Sequence, residues 1–190
     1  MSTKFFTNQD SNTLLTKFKG IFEHNTDIEN FDALVGYFRA SGYFKVRPFL
    51  NNVPFIRILV GIDVDKILAK YQSKGLLFQG DANQTLIEFL TEIKSDIQDA
   101  DYNQEIEEGI LQFIEDIATQ KIEIKAHPSK KLHAKIYIFK PKGWNEHKPG
   151  TVITGSSNLT ENGLGGTDNF NYEFNVQLND YDDVKFATEE

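Results

Sequence analysis

Cysteine is absent from all 190 residues. That excludes disulfide staples and thiolate metal sites, and it suits a cytoplasmic protein. Tryptophan and methionine occur once each. No apolar run approaches the roughly 18 residues that a membrane span needs. Met1 to Phe6 lacks the apolar stretch of a secretory leader. The expectation is a soluble cytoplasmic chain with no membrane partner. The Gly-rich Walker pattern is missing, which disfavours ATP hydrolysis. A basic excess is missing too: the formal net charge is -8, which argues against coating nucleic acid by bulk electrostatics.

What is present is unevenly distributed. Residues 121–150 carry eight Lys against Glu123 and Glu146, whereas residues 81–120 carry eleven Asp and Glu against Lys94. The basic stretch can meet an anionic substrate, or serve only as a solvated loop beside strands. The length fits one α/β domain able to bury a core without staples. We expect a single domain over 1–178, followed over 179–190 by an acidic tail, or linker to a further domain, with little core.

Hydrophobic spacing sets the expected elements. Leu14, Leu15, Phe18, Ile21 and Phe22 recur at helical spacing. Ala33 to Phe38 and Phe55 to Ile62 are short apolar runs and read as buried strands. Residues 43–52 read as a helix interrupted by Pro48 or begun near it, and a further helical segment is expected around Ile67, Leu68 and Tyr71. Two stripes, Leu86 to Ile97 and Ile106 to Ile117, predict amphipathic helices with acidic outer faces. Lys121 to Lys125 alternates. So does Leu132 to Phe139, which puts His133, Lys135, Tyr137 and Phe139 on one face. Pro141 to Gly150 reads as a hairpin loop, Thr151 to Thr154 as a strand, Asn162 to Asp168 as a Gly-rich loop, and Tyr172 to Leu178 as a last strand. The fold class expected is α/β, a mixed β-sheet sandwiched by helices.

Three groups of residues carry chemistry. His133 and Lys135, two apart on a strand, share a face. A His and a Lys rarely share a buried face without an anionic partner. A phosphate would suit: an imidazole can attack phosphorus while an ammonium holds the non-bridging oxygens. On spacing alone, a wet edge strand explains the pair as well. Gly155-Ser156-Ser157-Asn158 ends a strand, where hydroxyls and an amide can gather around a phosphoryl group; taken alone it is also an ordinary turn. Glu173, between Tyr172 and Phe174, is a carboxylate that needs a donor.

Taken in order, His133-Ala134-Lys135, then Gly155-Ser156-Ser157-Asn158, then Glu173 resembles the phospholipase D superfamily. Its motif is His-x-Lys, a four-residue gap to Asp, then Gly-Ser-x-Asn and a downstream Glu. Residues 31–39 are similar to the start of the phospholipase D-like domain found ahead of bacterial helicase modules. The motif Asp falls at Lys140, a departure that puts full activity in question. The resemblance implies a metal-independent phosphodiesterase or nuclease with no cofactor. His133 would be the nucleophile, and Glu173 would orient it. Lys135, Ser156 and Asn158 would hold the phosphoryl oxygens. Lys130, Lys131 and Lys142 would flank the backbone of a nucleic acid, DNA before RNA. His24, His127 and His147 lack a Lys two places on. The family uses two motif copies per site, so a homodimer sharing one active site is expected. The alternative is a non-catalytic nucleic-acid-binding or dimerisation module. Lipid hydrolysis is disfavoured because no apolar interfacial helix is legible.

Overall fold

The computed structural model describes residues 4–9, 11–38, 40–64, 104–126, 133–165 and 172–190. In chain order the elements are β1 (Phe5–Thr7), α1 (Leu14–His24), β2 (Ile28–Phe38), α2 (Ala40–Val46), a 3-10 turn (Arg47–Leu50), β3 (Phe55–Val64) and α3 (Gln104–Ala118). After these come β4 (Ile122–Ala126), β5 (Lys135–Pro141), β6 (Thr151–Gly155), α4 (Glu161–Leu164), β7 (Phe174–Leu178) and α5 (Tyr181–Glu189). The strands form one mixed sheet in the order β1-β7-β6-β5-β2-β3-β4. Strand β2 runs parallel to β3, and β3 to β4; the other neighbours are antiparallel. The expected α/β class, a mixed sheet between helices, is what forms.

Alternation decides which face each side chain takes. Phe31, Ala33 and Val35 on β2, Ile56 and Ile58 on β3, and Tyr137 and Phe139 on β5 point into the main core. There they meet Leu14, Phe18 and Ile21 of α1, Tyr43 and Val46 of α2, and Phe113 of α3. Phe18, Phe22, Phe31, Tyr137 and Phe139 form a set of ring pairs with centroids 5.0 to 6.0 Å apart. Each such pair adds about 0.5–1.5 kcal/mol beyond its buried area. The opposite face carries a smaller core, in which Val184 of α5 packs on Ile138 and Val152.

Four expectations need correction. The β3 run is buried on one face only, since Phe55 and Arg57 are exposed on the other. The segment read as an acidic tail is helical over Tyr181–Glu189, and Val184 is fully buried. Part of the expected Gly-rich loop is helical: Glu161–Leu164 forms α4, closed by Gly165 in the left-handed region. The helix expected over 43–52 begins at Ala40 and gives way at Arg47 to the 3-10 turn, which has Pro48 in its first turn. Proline lacks the amide that an α-helix interior needs. Strand β1 was not expected; three residues are too few to show a period. The segments around Ile67 and from Leu86 to Ile97 lie outside the described residues.

Tertiary contacts tie the helices down. Thr13 caps α1 by accepting the Thr16 amide at 3.1 Å. Buried Asn8 accepts the Leu14 amide at 3.1 Å and donates to the Gly163 carbonyl at 2.7 Å, joining α1 to α4. Asp116 of α3 is buried despite the acidic pattern around it. It accepts from the Arg47 guanidinium and, at 2.8 Å, from the Tyr43 hydroxyl. Burial and the adjacent Asp116 push the Tyr43 phenol far above its ordinary range.

Candidate active site

The sheet order brings the three chemical groups together. Strands β5, β6 and β7 are adjacent, and each is antiparallel to the next. Ile136 faces Thr154, and Gly155 faces Asn175. The start of β5, the end of β6 and the start of β7 therefore lie at one edge of the sheet. His133 and Lys135 come from the first, Ser156 and Asn158 from the second, and Glu173 from the third. The carboxyl end of β2 reaches the same edge: the Gly36 amide donates to the Ala134 carbonyl at 2.9 Å, and Phe38 bridges to Leu159.

Lys135 is only 6% exposed, and so is Glu173. Burial pushes the Lys135 ammonium below its ordinary value, and the Glu173 charge pulls it partly back. Lys135 Nζ lies 2.9 Å from His133 Nδ1, 3.2 Å from Nε2 and 2.9 Å from the His133 carbonyl. A neutral imidazole has one acceptor nitrogen, so only one of the ring contacts is a hydrogen bond. Accepting from Lys135 uses a nitrogen lone pair, so this contact and a proton on the same nitrogen exclude each other. The His133 ring itself is exposed.

Glu173 does not reach His133. Its Oε2 accepts the Ser156 hydroxyl, and Ser156 Oγ accepts the Phe174 amide at 3.0 Å. Asn158 is half-buried beside this pair in sequence. Behind them, the Tyr137 hydroxyl donates to the Ser157 carbonyl at 2.9 Å. Asn175 Nδ2 donates to Ser157 Oγ at 2.9 Å, and Asn175 Oδ1 accepts the Ser157 amide at 3.4 Å. Burial, with the Glu173 charge adding to it, holds the Tyr137 phenol well above its ordinary range. Thr154 Oγ1 donates to the Lys135 carbonyl at 3.0 Å. Among the described residues no group of three or more His, Asp or Glu side chains could hold a metal ion.

Close backbone approach shapes the loop that carries Ser156 and Asn158. A Cβ on Gly155 would lie 2.4 Å from the Phe174 carbonyl oxygen, and one on Gly163 would lie 2.4 Å from the Asn158 carbonyl oxygen. A Cβ on Gly42 would lie 2.6 Å from the Leu159 carbonyl oxygen. The loop is thus pressed between β7, α4 and α2.

The profile of the family described as "Cardiolipin synthase, PLD-like domain" matches residues 56–190. The chain belongs to this phospholipase D-like family. No curated protein matches it in sequence. Among solved structures, a mutant of yeast tyrosyl-DNA phosphodiesterase aligns with a TM-score of 0.40 and 12% identity, covering 83% of this chain. The chain spans 26% of that protein's length.

The family motif's missing Asp now has a structural setting. Lys140 sits five residues along β5 from Lys135, about 17 Å at the usual strand rise. Its Nζ lies 3.8 Å from Asp32 Oδ2 and over the Trp144 ring. Asp32 also takes both guanidinium contacts of Arg57, each at 2.6 Å, and Arg57 faces Glu123 across β3 and β4. Lysine, aspartate, arginine and glutamate thus alternate across four neighbouring strands. Asp32 is thus the acid partner of Arg57. Lys130, Lys131 and Arg39 lie outside the described residues. Sequence reading missed Asn175 and Tyr137 as supports of the site, although alternation from Glu173 and from Lys135 places both on its face.

Proposed function

We propose that the chain is a metal-independent phosphodiesterase acting on nucleic acid, with DNA preferred to RNA. It would be one domain of a larger helicase- or restriction-type protein in the cytoplasm. The observation that carries this reading is the meeting of His133, Lys135, Ser156, Asn158 and Glu173 at one sheet edge, with an ammonium and a carboxylate both buried there. Burying an ammonium is costly without an anionic or hydrogen-bonding partner, and a phosphoryl group supplies the first for Lys135.

In this reading one imidazole nitrogen of His133 attacks phosphorus. A P–N bond forms as the P–O bond to the leaving group breaks, and a second histidine gives its proton to the departing oxygen. That histidine then takes a proton from water, the water oxygen attacks phosphorus, and His133 is released. Lys135, Ser156 and Asn158 would hold the non-bridging oxygens, whose charge grows in the transition state. Lys130 and Lys131 would hold flanking phosphates; Lys142, expected beside them, follows the opposite end of β5 from Lys135 and has no part in this reading. This sequence has one His-x-Lys, so the second histidine would be His133 of a second copy in a two-fold dimer.

A second reading, a non-catalytic binding module, is favoured by one contact. Glu173 bonds Ser156, and among the described residues no carboxylate bonds His133 to fix its tautomer. Lys140 weighs less in its favour, being far along β5 and already paired with Asp32. Cleavage of labelled single- and double-stranded oligonucleotides in EDTA separates the two readings. Turnover by the parent that is lost in His133→Ala supports the enzyme. A folded dimer that binds and never cleaves supports the module.

A further inference from the structure

Aromatic side chains flank the candidate phosphoryl site on its other side. Tyr172, Phe174 and Phe5 are 69%, 54% and 53% exposed. The Phe5 and Phe174 rings stack with centroids 5.4 Å apart and planes 29° from parallel. Register explains the meeting, since Phe5 on β1 lies opposite Val176, two places along β7 from Phe174. The other exposed large apolar groups among the described residues, Phe55, Leu111 and Phe186, lie on three separate elements. Isolated exposed apolar residues need no explanation, whereas a stacked pair with a third exposed ring two places along the chain does.

Two features connect this group to the chemistry. Phe174 is tied to Ser156 by two hydrogen bonds: its amide donates to Ser156 Oγ at 3.0 Å, and its carbonyl accepts the Ser156 amide at 3.1 Å. Glu173 lies between Tyr172 and Phe174 in the chain, with its side chain turned inward while Phe174 points outward. The rings and the phosphoryl-binding groups therefore sit back to back at the edge where β7 begins. A strand of phosphodiesters passing that edge puts a phosphate on one side and an unpaired base on the other. Helix α5 covers β5 and β6 around Val184, and leaves Phe5 and Phe174 open to solvent.

We propose that Tyr172, Phe174 and Phe5 form a shelf on which an unpaired nucleobase next to the bound phosphate stacks, so that the site takes single-stranded nucleic acid. The proposal rests on the nucleic-acid reading above and specifies its substrate. Aromatic stacking of this kind does not discriminate strongly among bases, because every base has a π-face. The shelf therefore selects strandedness and not sequence.

The test compares the 190-residue chain with Phe174→Leu, Tyr172→Leu and Phe5→Leu. Leucine keeps the apolar volume and removes the ring face. Phe174→Tyr serves as the rescue. Anisotropy in EDTA measures binding of labelled oligothymidylate and of an abasic oligomer of the same length. Each leucine variant is expected to weaken oligothymidylate binding about 5-fold or more. Phe174→Tyr should bind as the parent does, and abasic binding should be unchanged throughout. Equal losses on both oligomers, no loss on either, or no binding of oligothymidylate by the parent would overturn the shelf. So would loss of a parental dimer on sedimentation with oligothymidylate affinity unchanged, which would make the patch a contact between copies. A parent that binds and does not cleave leaves the shelf standing and sinks the phosphodiesterase activity instead.

Discussion

At the scale of single residues, Lys135 is where stability and the proposed function oppose each other. Its ammonium is buried, Glu173 is the carboxylate whose charge supports it among the described residues, and burial pushes it below its ordinary value of 10.5. The folded protein thus binds the Lys135 proton less readily than the unfolded chain does, so this group's contribution to stability rises with pH between the lowered value and 10.5. Lys135→Met removes the charged group and keeps the length. The variant should melt a few degrees higher than the parent, at about 2–4 °C per kcal/mol for a chain of this size. The gain should be largest below the lowered value and fade as pH approaches 10.5. Inorganic phosphate should raise the melting temperature of the parent and not of the variant. Calorimetry across pH, with and without phosphate, checks all three.

Lys140 makes the opposite case, a motif departure that belongs to the fold. Lys140→Asp would restore the family residue but bring a second carboxylate toward Asp32 and remove a cation from the ladder through Arg57. The expected result is a loss of about 1–3 kcal/mol with no gain in turnover. Urea titration beside a cleavage assay measures both. Sequence spacing shows that position 140 departs from the motif. It does not show Asp32 next door, because that contact depends on the register between β2 and β5.

At the scale of elements, the site is only as firm as the seam between β6 and β7. Gly155→Ala would drive a methyl into the Phe174 carbonyl oxygen and the Asn175 side chain, at about 1–3 kcal/mol. Asn175→Ala would leave buried Ser157 without its partner, at about 1–3 kcal/mol. Both should reduce cleavage through the Ser156 loop while His133 and Lys135 stay in place, and chemical denaturation gives the stability side. Much of this seam was readable in advance. Alternation placed Lys135 with Tyr137, and strand ends placed Ser156 and Glu173. What escaped was short or weakly patterned. β1 has three residues, α4 has four, and α5 has Val184 as its one fully buried anchor amid acidic neighbours. Asn8 ties α1 to α4 through a contact 155 residues apart in the chain, which no local period can register.

At the scale of the whole molecule, the described part of the chain presents one His-x-Lys at one sheet edge, and among its residues no helix is long and apolar enough to cross a membrane. If two copies share a site, parent and His133→Ala chains exchanged to equilibrium should cleave in proportion to the square of the parent fraction. A linear dependence would mean that each copy holds a complete site. The segregated charge adds a second expectation at this scale. Binding to single-stranded oligonucleotides should weaken steeply with salt, with a slope set by the number of phosphates neutralised.

Trapping the covalent intermediate tests the phosphodiesterase reading at its chemical step. The chain is mixed in EDTA with an oligonucleotide carrying a labelled scissile phosphate, quenched in denaturant within one turnover, and mapped by mass spectrometry. Nucleophilic attack by His133 predicts protein-bound phosphorus that survives alkali, is lost in acid, maps to His133 and is absent from His133→Ala. Cleavage with no such adduct, or an adduct that persists in His133→Ala, would contradict it.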